Sequence, residues 1–358
     1  MTIQQNLFDT SSDWLEHSLK HASSVLPEVS AELPNGTRIT RRAVGVLELT
    51  PALIQPGSEV LILSAGVHGN ETAPVEVLNG LLSELLRGEW PLACPTLLIL
   101  GNPPAMVACE RFVDANMNRM FHGAHNKQAY QGLPEATRAR QLEMFCQRFA
   151  TAHSGALSHY DLHTAIRPSL REKFALYPFV AGRKVPENQC SFLLKSQVET
   201  LLLQHSTATT FASFSSSQLG AESFTIELGK VQPFGQNDLS RFEGVRNALR
   251  ARLQGNGLPT TPESTSDGEP SEAGRLMTFE VVHEILNTGK EFQFHVPDDA
   301  ANFTEYQPGT VIWEDSETCY RVGNVPEAIV FPNRNVPVGQ RVCLMIRPVH
   351  SPARQQVP

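Results

Sequence analysis

Residues 60–74 read Val60-Leu-Ile-Leu-Ser-Ala-Gly-Val-His68-Gly-Asn-Glu71-Thr-Ala-Pro74. The opening run is short, apolar and unbroken, which predicts a strand buried on both faces. From Ala73 to Arg87, residues Val75, Val77, Leu78, Leu81, Leu82, Leu85 and Leu86 recur at helical spacing, which predicts a helix able to pack on such a sheet. A strand that feeds a helix through a glycine-containing turn sets that turn in the crevice outside the strand's carboxyl end, where open α/β sheets bind ligands. His68 and Glu71 stand three apart in this turn, so both heads can converge on one point. Imidazole and carboxylate are two of the usual zinc ligands. Taken alone, the pair also reads as a capping or solvated histidine beside an ordinary acid.

Working outward, Thr96 to Leu100 is a second apolar run bounded by proline and glycine, and Tyr160 to His163, Phe174 to Pro178 and Ser223 to Leu228 are further strand candidates. Helical patterns cover Ser11 to Ala22, Pro134 to Ala152, Glu187 to Gln204 and Leu239 to Leu253. The alternation predicts an α/β domain over residues 1–254, a largely parallel or mixed sheet flanked by helices. Residues 255–274, GNGLPTTPESTSDGEPSEAG, carry almost nothing apolar and read as a linker or mobile loop. Short β-like runs with turn signals between them fill 275–358, which predicts a small all-β barrel or sandwich.

Two later features extend the His68–Glu71 pair. His163 ends a predicted strand 92 residues after Glu71 and could add a third ligand from a different strand. A His₂Glu set that leaves a fourth position open is the layout of a hydrolytic zinc rather than a structural one. Glu227 lies near the end of an otherwise apolar strand, where a buried acid needs a partner or a task. Near a zinc it could act as general base and then as general acid. Read singly, His163 is a core histidine and Glu227 a salt-bridged strand-end acid.

The 358 residues include 29 Lys or Arg and 37 Asp or Glu, a formal net charge of −8. That balance argues against nucleic acid or an anionic membrane as a partner, but leaves room for a local basic pocket and a small anionic substrate. At 41% hydrophobic and 18% charged the chain can bury a core, and its length suits two domains. The N-terminus shows no secretory pattern, and no apolar run is long enough to span a bilayer. Six scattered cysteines (94, 109, 146, 190, 319 and 343) include no CxxC pair and read as reduced thiols of a cytoplasmic protein. The sequence leaves self-association into a homo-oligomer open.

Five segments now occur in order: GVHGNE at 66–71, Gly101-Asn-Pro, Arg111-Phe-Val-Asp-Ala-Asn-Met-Asn118-Arg119, DLHTAIR at 161–167 and Ile226-Glu227-Leu-Gly229. Together they resemble the succinylglutamate desuccinylase and aspartoacylase branch of the zinc carboxypeptidase clan. DLHTAIR followed by Arg171-Glu-Lys-Phe-Ala-Leu-Tyr-Pro178 is more similar to the desuccinylases. The resemblance runs from about residue 40 to the end. It implies a zinc-carboxypeptidase-like fold and one Zn²⁺ per chain, bound by His68, Glu71 and His163. It further implies Glu227 as catalytic acid/base, Arg111 as the group that polarises the scissile carbonyl, and Asn118 with Arg119 as a carboxylate grip. Arg167, four residues after His163, is added as a second carboxylate contact.

The implied activity is hydrolysis of N-succinyl-L-glutamate to succinate and L-glutamate, the last step of arginine breakdown by the succinyltransferase route. A related acyl-amino-acid deacylase, a carboxypeptidase-like peptidase and a non-catalytic zinc-binding module are the alternatives. A substrate with three carboxylates suits arginine, whose planar fork bonds a carboxylate through two parallel N–H groups. One position departs from the family pattern: Asn116 stands where many relatives have aspartate. If that residue orients a zinc-binding imidazole, the amide offers an acceptor without charge.

Overall fold

A computed structural model describes residues 3–256 and 275–349. Its strands are β1 (Val29–Glu32), β2 (Arg38–Ala43), β3 (Val46–Thr50), β4 (Val60–Ala65), β5 (Thr96–Leu100), β6 (Leu157–Ala165), β7 (Phe174–Tyr177), β8 (Thr200–Leu203) and β9 (Glu222–Lys230). The tail adds β10 (Met277–Leu286), β11 (Gln293–Phe294), β12 (Thr304–Tyr306), β13 (Val311–Glu314), β14 (Cys319–Arg321), β15 (Glu327–Val330) and β16 (Arg341–Pro348). Helices are α1 (Ile3–Phe8), α2 (Trp14–Lys20), α3 (Thr72–Leu86), α4 (Pro103–Ala108), α5 (Pro134–Ala152), α6 (Glu187–Lys195), α7 (Phe211–Gln218) and α8 (Glu243–Leu253).

β4 is buried along its whole length because helices cover both faces. Leu61, Leu63 and Ala65 join the core under α2, α3, α6 and α8, while Val60 and Ile62 join the opposite core with α5 and α7. β5 divides the same way, with Leu98 and Leu100 on one side and Leu97 and Ile99 on the other. This is the period of two expected of a doubly covered strand. The sheet order is β1-β2-β3-β5-β4-β6-β9-β7-β8-β10-β16-β15-β12, with β5, β4, β6 and β9 parallel. From β4 the chain crosses to β5 on one side and later returns to β6 on the other. The carboxyl end of β4 is therefore a topological switch point.

The expected long helix over Glu187 to Gln204 is a correction. α6 ends at Lys195, Gln197 adopts a left-handed φ of 61°, and Thr200 to Leu203 form β8 inside the sheet. The run Thr-Leu-Leu-Leu satisfies either period, and pairing with β7 and β10 decided it.

The tail does not hang free. β10 pairs in parallel with β8, so β10, β16, β15 and β12 extend the main sheet, and β11, β13 and β14 form a three-stranded layer beside it. Phe174, Leu176 and Leu202 share one core with Phe279, Val281, Phe303, Val330 and Leu344 of the tail. From residue 257 on, the segment read as a linker lies outside the described residues.

Candidate active site

The turn after β4 is held close against α4. A Cβ at Gly69 would lie 2.1 Å from the Ala105 backbone carbon, so only glycine permits this approach. Gly69 N–H donates to the Arg111 carbonyl at 3.1 Å, which ties the His68 turn to the segment bearing Arg111. Glu71 is the N-cap residue of α3 but makes no side-chain cap bond, so its carboxylate is free to turn inward. His163 comes from β6, whose buried residues alternate: Tyr160 and Leu162 enter the core, while His159, Asp161 and His163 share the other face. Glu227 sits opposite His163 in the β6–β9 register.

The ligand atoms of His68, Glu71 and His163 lie within 4.8 Å of one another, and all three residues are buried. Glu71 Oε1 is 2.8 Å from His68 Nδ1 and accepts from Arg111 Nη1 at 2.7 Å. Its Oε2 is 2.8 Å from His163 Nδ1 and accepts from Thr164 N–H at 3.2 Å. The outer ring nitrogens also face acceptors: His68 Nε2 is 3.0 Å from Asn116 Oδ1, and His163 Nε2 is 2.9 Å from Asp161 Oδ2. The Asn116 oxygen also accepts from Asn118 N–H at 3.0 Å, which fixes it as the acceptor facing His68.

This arrangement tests the trio as a metal site. A neutral imidazole carries one N–H, and here each ring has acceptors at both nitrogens. If the outer nitrogens donate, two inner lone pairs confront a carboxylate across 2.8 Å, an unfavourable contact unless a positive species sits between them. A divalent cation relieves both contacts at once, and the outer acceptors then orient the rings as they do around bound zinc. The donor set fits Zn²⁺.

Charge follows the same asymmetry. Burial opposes ionisation of Glu71, but the adjacent His68 and His163 hold its carboxyl well below the usual range. Burial also opposes protonation of His163, yet the Asp161 and Glu71 carboxylates outweigh it and raise His163 well above its ordinary value. His68 has only an amide as its outer partner, and burial followed by the Arg111 charge takes it down to about 4. Burial pushes the Glu227 carboxyl up to about 7, and its Oε2 is buried without a hydrogen-bond partner.

A second network stands behind His163. Ser64 Oγ donates to Asp161 Oδ1 at 2.6 Å and contacts His159 Nε2 at 2.8 Å, while His159 Nδ1 meets Ser215 Oγ at 2.7 Å. Ser64 and Ser215 were missed by sequence reasoning. The signal for the strand side was the alternation of His159, Asp161 and His163. Elsewhere Asp9, His17 and His21 also gather ligand atoms within 4.8 Å, but Asp9 is exposed and, after burial, the Arg41 charge weighs most on His17. A cation already stands beside that trio.

One cavity of about 640 Å³ collects the candidate residues: His68, Glu71, His163 and Glu227, with Arg111, Asn118, Arg119 and Arg167 in its wall. Five Lys or Arg against three Glu line it, so a basic pocket is cut into an acidic chain. Asn118 Oδ1 accepts from Phe211 N–H at 2.9 Å, pinning its loop to the start of α7, and Arg119 Nη1 donates to the Asn118 carbonyl at 2.9 Å. Arg167 lines the same cavity but directs Nη1 to the Asp298 carbonyl of the tail. Asn302, Phe331 and Arg341 bring the tail into the wall.

The sheet with its His–Glu–His cluster at the switch point defines the zinc-carboxypeptidase-like class of α/β folds. Comparison with known proteins narrows this. The succinylglutamate desuccinylase/aspartoacylase catalytic domain matches residues 57–253, and the AstE/AspA barrel-sandwich hybrid domain matches residues 274–349. The chain belongs to the succinylglutamate desuccinylase/aspartoacylase family. It is 39% identical over 353 residues to a succinylglutamate desuccinylase of Shewanella denitrificans, covering 97% of this chain and 98% of that one. It is 42% identical to one from Ectopseudomonas mendocina, covering 88% and 91%. The crystal structure of the succinylglutamate desuccinylase from Chromobacterium violaceum aligns with a TM-score of 0.80 at 35% identity, over 96% of this chain and 99% of that one. The one from Vibrio parahaemolyticus aligns with a TM-score of 0.84 at 29% identity, over 96% of each.

Proposed function

We propose that this chain is a zinc-dependent amidohydrolase that cleaves N-succinyl-L-glutamate to succinate and L-glutamate, with one zinc per chain. Nearly full-length relatives bearing that name support the substrate. The observation that carries the chemistry is the trio His68, Glu71 and His163, whose inner atoms need a cation, in one cavity with Glu227 and the arginines. The biological setting follows from the substrate: the last step of arginine breakdown by the succinyltransferase route, in the cytoplasm. None of the six cysteines is in a disulfide among the described residues, and four of them are buried, which suits a reducing compartment. Among the described residues no helix is long and apolar enough to cross a membrane.

Bound zinc supplies Lewis acidity and a nucleophile at neutral pH. His68, Glu71 and His163 would hold it, and Asn116 and Asp161 keep the two rings turned so that each Nδ1 faces inward. Glu227 takes the proton from the attacking water and delivers it to the leaving amine. Its elevated pKa near neutrality matches a group that must both accept and return a proton. Arg111, aimed at the site by its bond to Glu71, stabilises the oxyanion that develops on the scissile carbonyl. Asn118 and Arg119 grip a carboxylate, and Arg167 adds positive charge at the rim.

Purified protein should release glutamate from succinylglutamate, lose that activity on chelation, regain it with Zn²⁺, and lose it in Glu227→Ala. Activity that survives chelation sinks the metal mechanism. Zinc binding without turnover of any acyl-amino acid points instead to a non-catalytic module.

A further inference from the structure

Three neighbouring parallel strands set polar side chains in rows behind the trio. β6 brings His159, Asp161 and His163, β4 places Ser64 opposite Asp161, and β9 places Ser223 opposite His159. Ser215 reaches His159 from α7. Ser64, His159, Asp161, Ser215 and Ser223 are all fully buried, where polar groups pair with one another.

Counting hydrogens gives each of these bonds a direction. A serine hydroxyl has one hydrogen, and an ionised carboxylate only accepts. Ser64 Oγ lies 2.6 Å from Asp161 Oδ1, so its hydrogen is committed there. What Ser64 offers His159 Nε2 at 2.8 Å is a lone pair, and Nε2 therefore carries the ring proton. Burial takes His159 down to about 4, so the ring is neutral and Nδ1 is bare. Nδ1 accepts from Ser215 Oγ at 2.7 Å, a closer contact than those of Ser215 Oγ to the Ala212 and Phe211 carbonyls, at 3.1 and 3.3 Å. Ser215 accepts in turn from Ser223 Oγ at 2.9 Å, which is nearer than the Ala221 carbonyl at 3.3 Å. The reverse direction would set a Ser64 lone pair against a buried carboxylate across 2.6 Å. Bonds to charged groups are about twice as strong as neutral ones, so the first direction wins.

The geometry points to Ser64 and His159 as positioning residues for the metal site. The series Ser223, Ser215, His159, Ser64 ends in one hydrogen bond to Asp161 Oδ1, each member polarising the next. That bond holds the carboxylate so that Oδ2 accepts from His163 Nε2, which leaves Nδ1 bare toward Glu71 and the metal. Without it Asp161 turns more freely about a broad torsion, and His163 loses the partner that fixes its ring. The effect on zinc rests on the function proposed above; the direction of the series does not.

The test pairs zinc affinity, read by competition with a chromophoric chelator, with nitrogen NMR of the histidine rings. The variants are Ser64→Ala, Ser64→Thr, His159→Leu and His159→Gln. Ser64→Ala should weaken zinc about 3- to 10-fold, a smaller loss than removal of a ligand's direct partner brings. His159→Leu should weaken it about 2- to 5-fold, acting one bond further away. Ser64→Thr keeps the hydroxyl and should bind zinc as wild type does, and His159→Gln, which keeps a donor, should recover most of the leucine variant's loss. Wild-type His159 should show a protonated Nε2 and a bare Nδ1. A proton on Nδ1 overturns the direction of the series, and unchanged zinc affinity in Ser64→Ala overturns the positioning role. Equal losses in the conservative and the truncating variants mark packing in place of hydrogen bonding and overturn it too. If wild type binds no zinc, the proposed function fails, and the ring spectra of metal-free wild type and Ser64→Ala still decide the series.

Discussion

The two imidazoles of the trio are backed unequally, and this predicts how metal affinity responds to single atoms. His163 Nε2 donates to the Asp161 carboxylate at 2.9 Å, with Asp161 fully buried, whereas His68 Nε2 donates to the Asn116 amide at 3.0 Å. A hydrogen bond to a charged group is worth about 1.5–3 kcal/mol and a neutral one about 1 kcal/mol. Exchanging carboxylate for amide at one site should therefore change the binding of a divalent cation by about 1–2 kcal/mol, or about 5- to 30-fold. Asp161→Asn should weaken Zn²⁺ by that factor. Asn116→Asp should tighten it, by less, because Asn116 is only half-buried and solvent screens the added charge. Competition against a chromophoric chelator at fixed pH reads the affinity directly, independent of turnover. Equal affinity within threefold in both variants would refute the view that the outer acceptors tune the ligands. A tighter Asp161→Asn would invert it.

Glu227→Gln should lower kcat by about 10²- to 10⁴-fold while leaving zinc stoichiometry intact, since it removes a proton-transfer group and not a ligand. In metal-free protein the same substitution should stabilise the fold above neutral pH, measured as a rise in Tm. The folded Glu227 carboxyl is raised from 4.5 to about 7, so its contribution is full below about 4.5 and is lost as pH rises through about 7. The loss amounts to about 3 kcal/mol, which glutamine does not suffer. Arg111→Ala should cost about 10²- to 10³-fold in kcat, as loss of an oxyanion donor does, and glycerol-free crystals of the variant should show Glu71 still facing both histidines. Leu202→Ala, in the core shared by β8 and the tail, should cost about 2–5 kcal/mol in denaturant unfolding. It should also raise KM if the wall carried by β10 and β16 loosens.

Local pattern made much of this protein legible. β4, α3, β5 and α5 follow from unbroken apolar runs and helical repeats, and the turn at Gly66 to Glu71 follows from glycine spacing between strand and helix. The ordered segments around His68, Arg111, Asn118, His163 and Glu227 pointed to residues that do line one cavity. The strand Thr200 to Leu203 was not legible, because four residues that suit both periods take their conformation from neighbours on either side. Ser64 gave no warning either, being one small polar residue in an apolar strand whose partner lies 97 residues away.

By itself, then, the sequence determined the α/β class, the switch-point turn and the family, because these rest on short-range periodicity and ordered motifs. Tertiary structure decided the rest. It showed that both ring nitrogens of His68 and of His163 meet acceptors, that the tail is stitched into the catalytic sheet through β8 and β10, and that Arg341 of the tail lines the same cavity as Arg119. The physical reason is range. Periodicity is a property of neighbouring residues, whereas a cation-seeking cluster exists only once distant strands have been brought side by side.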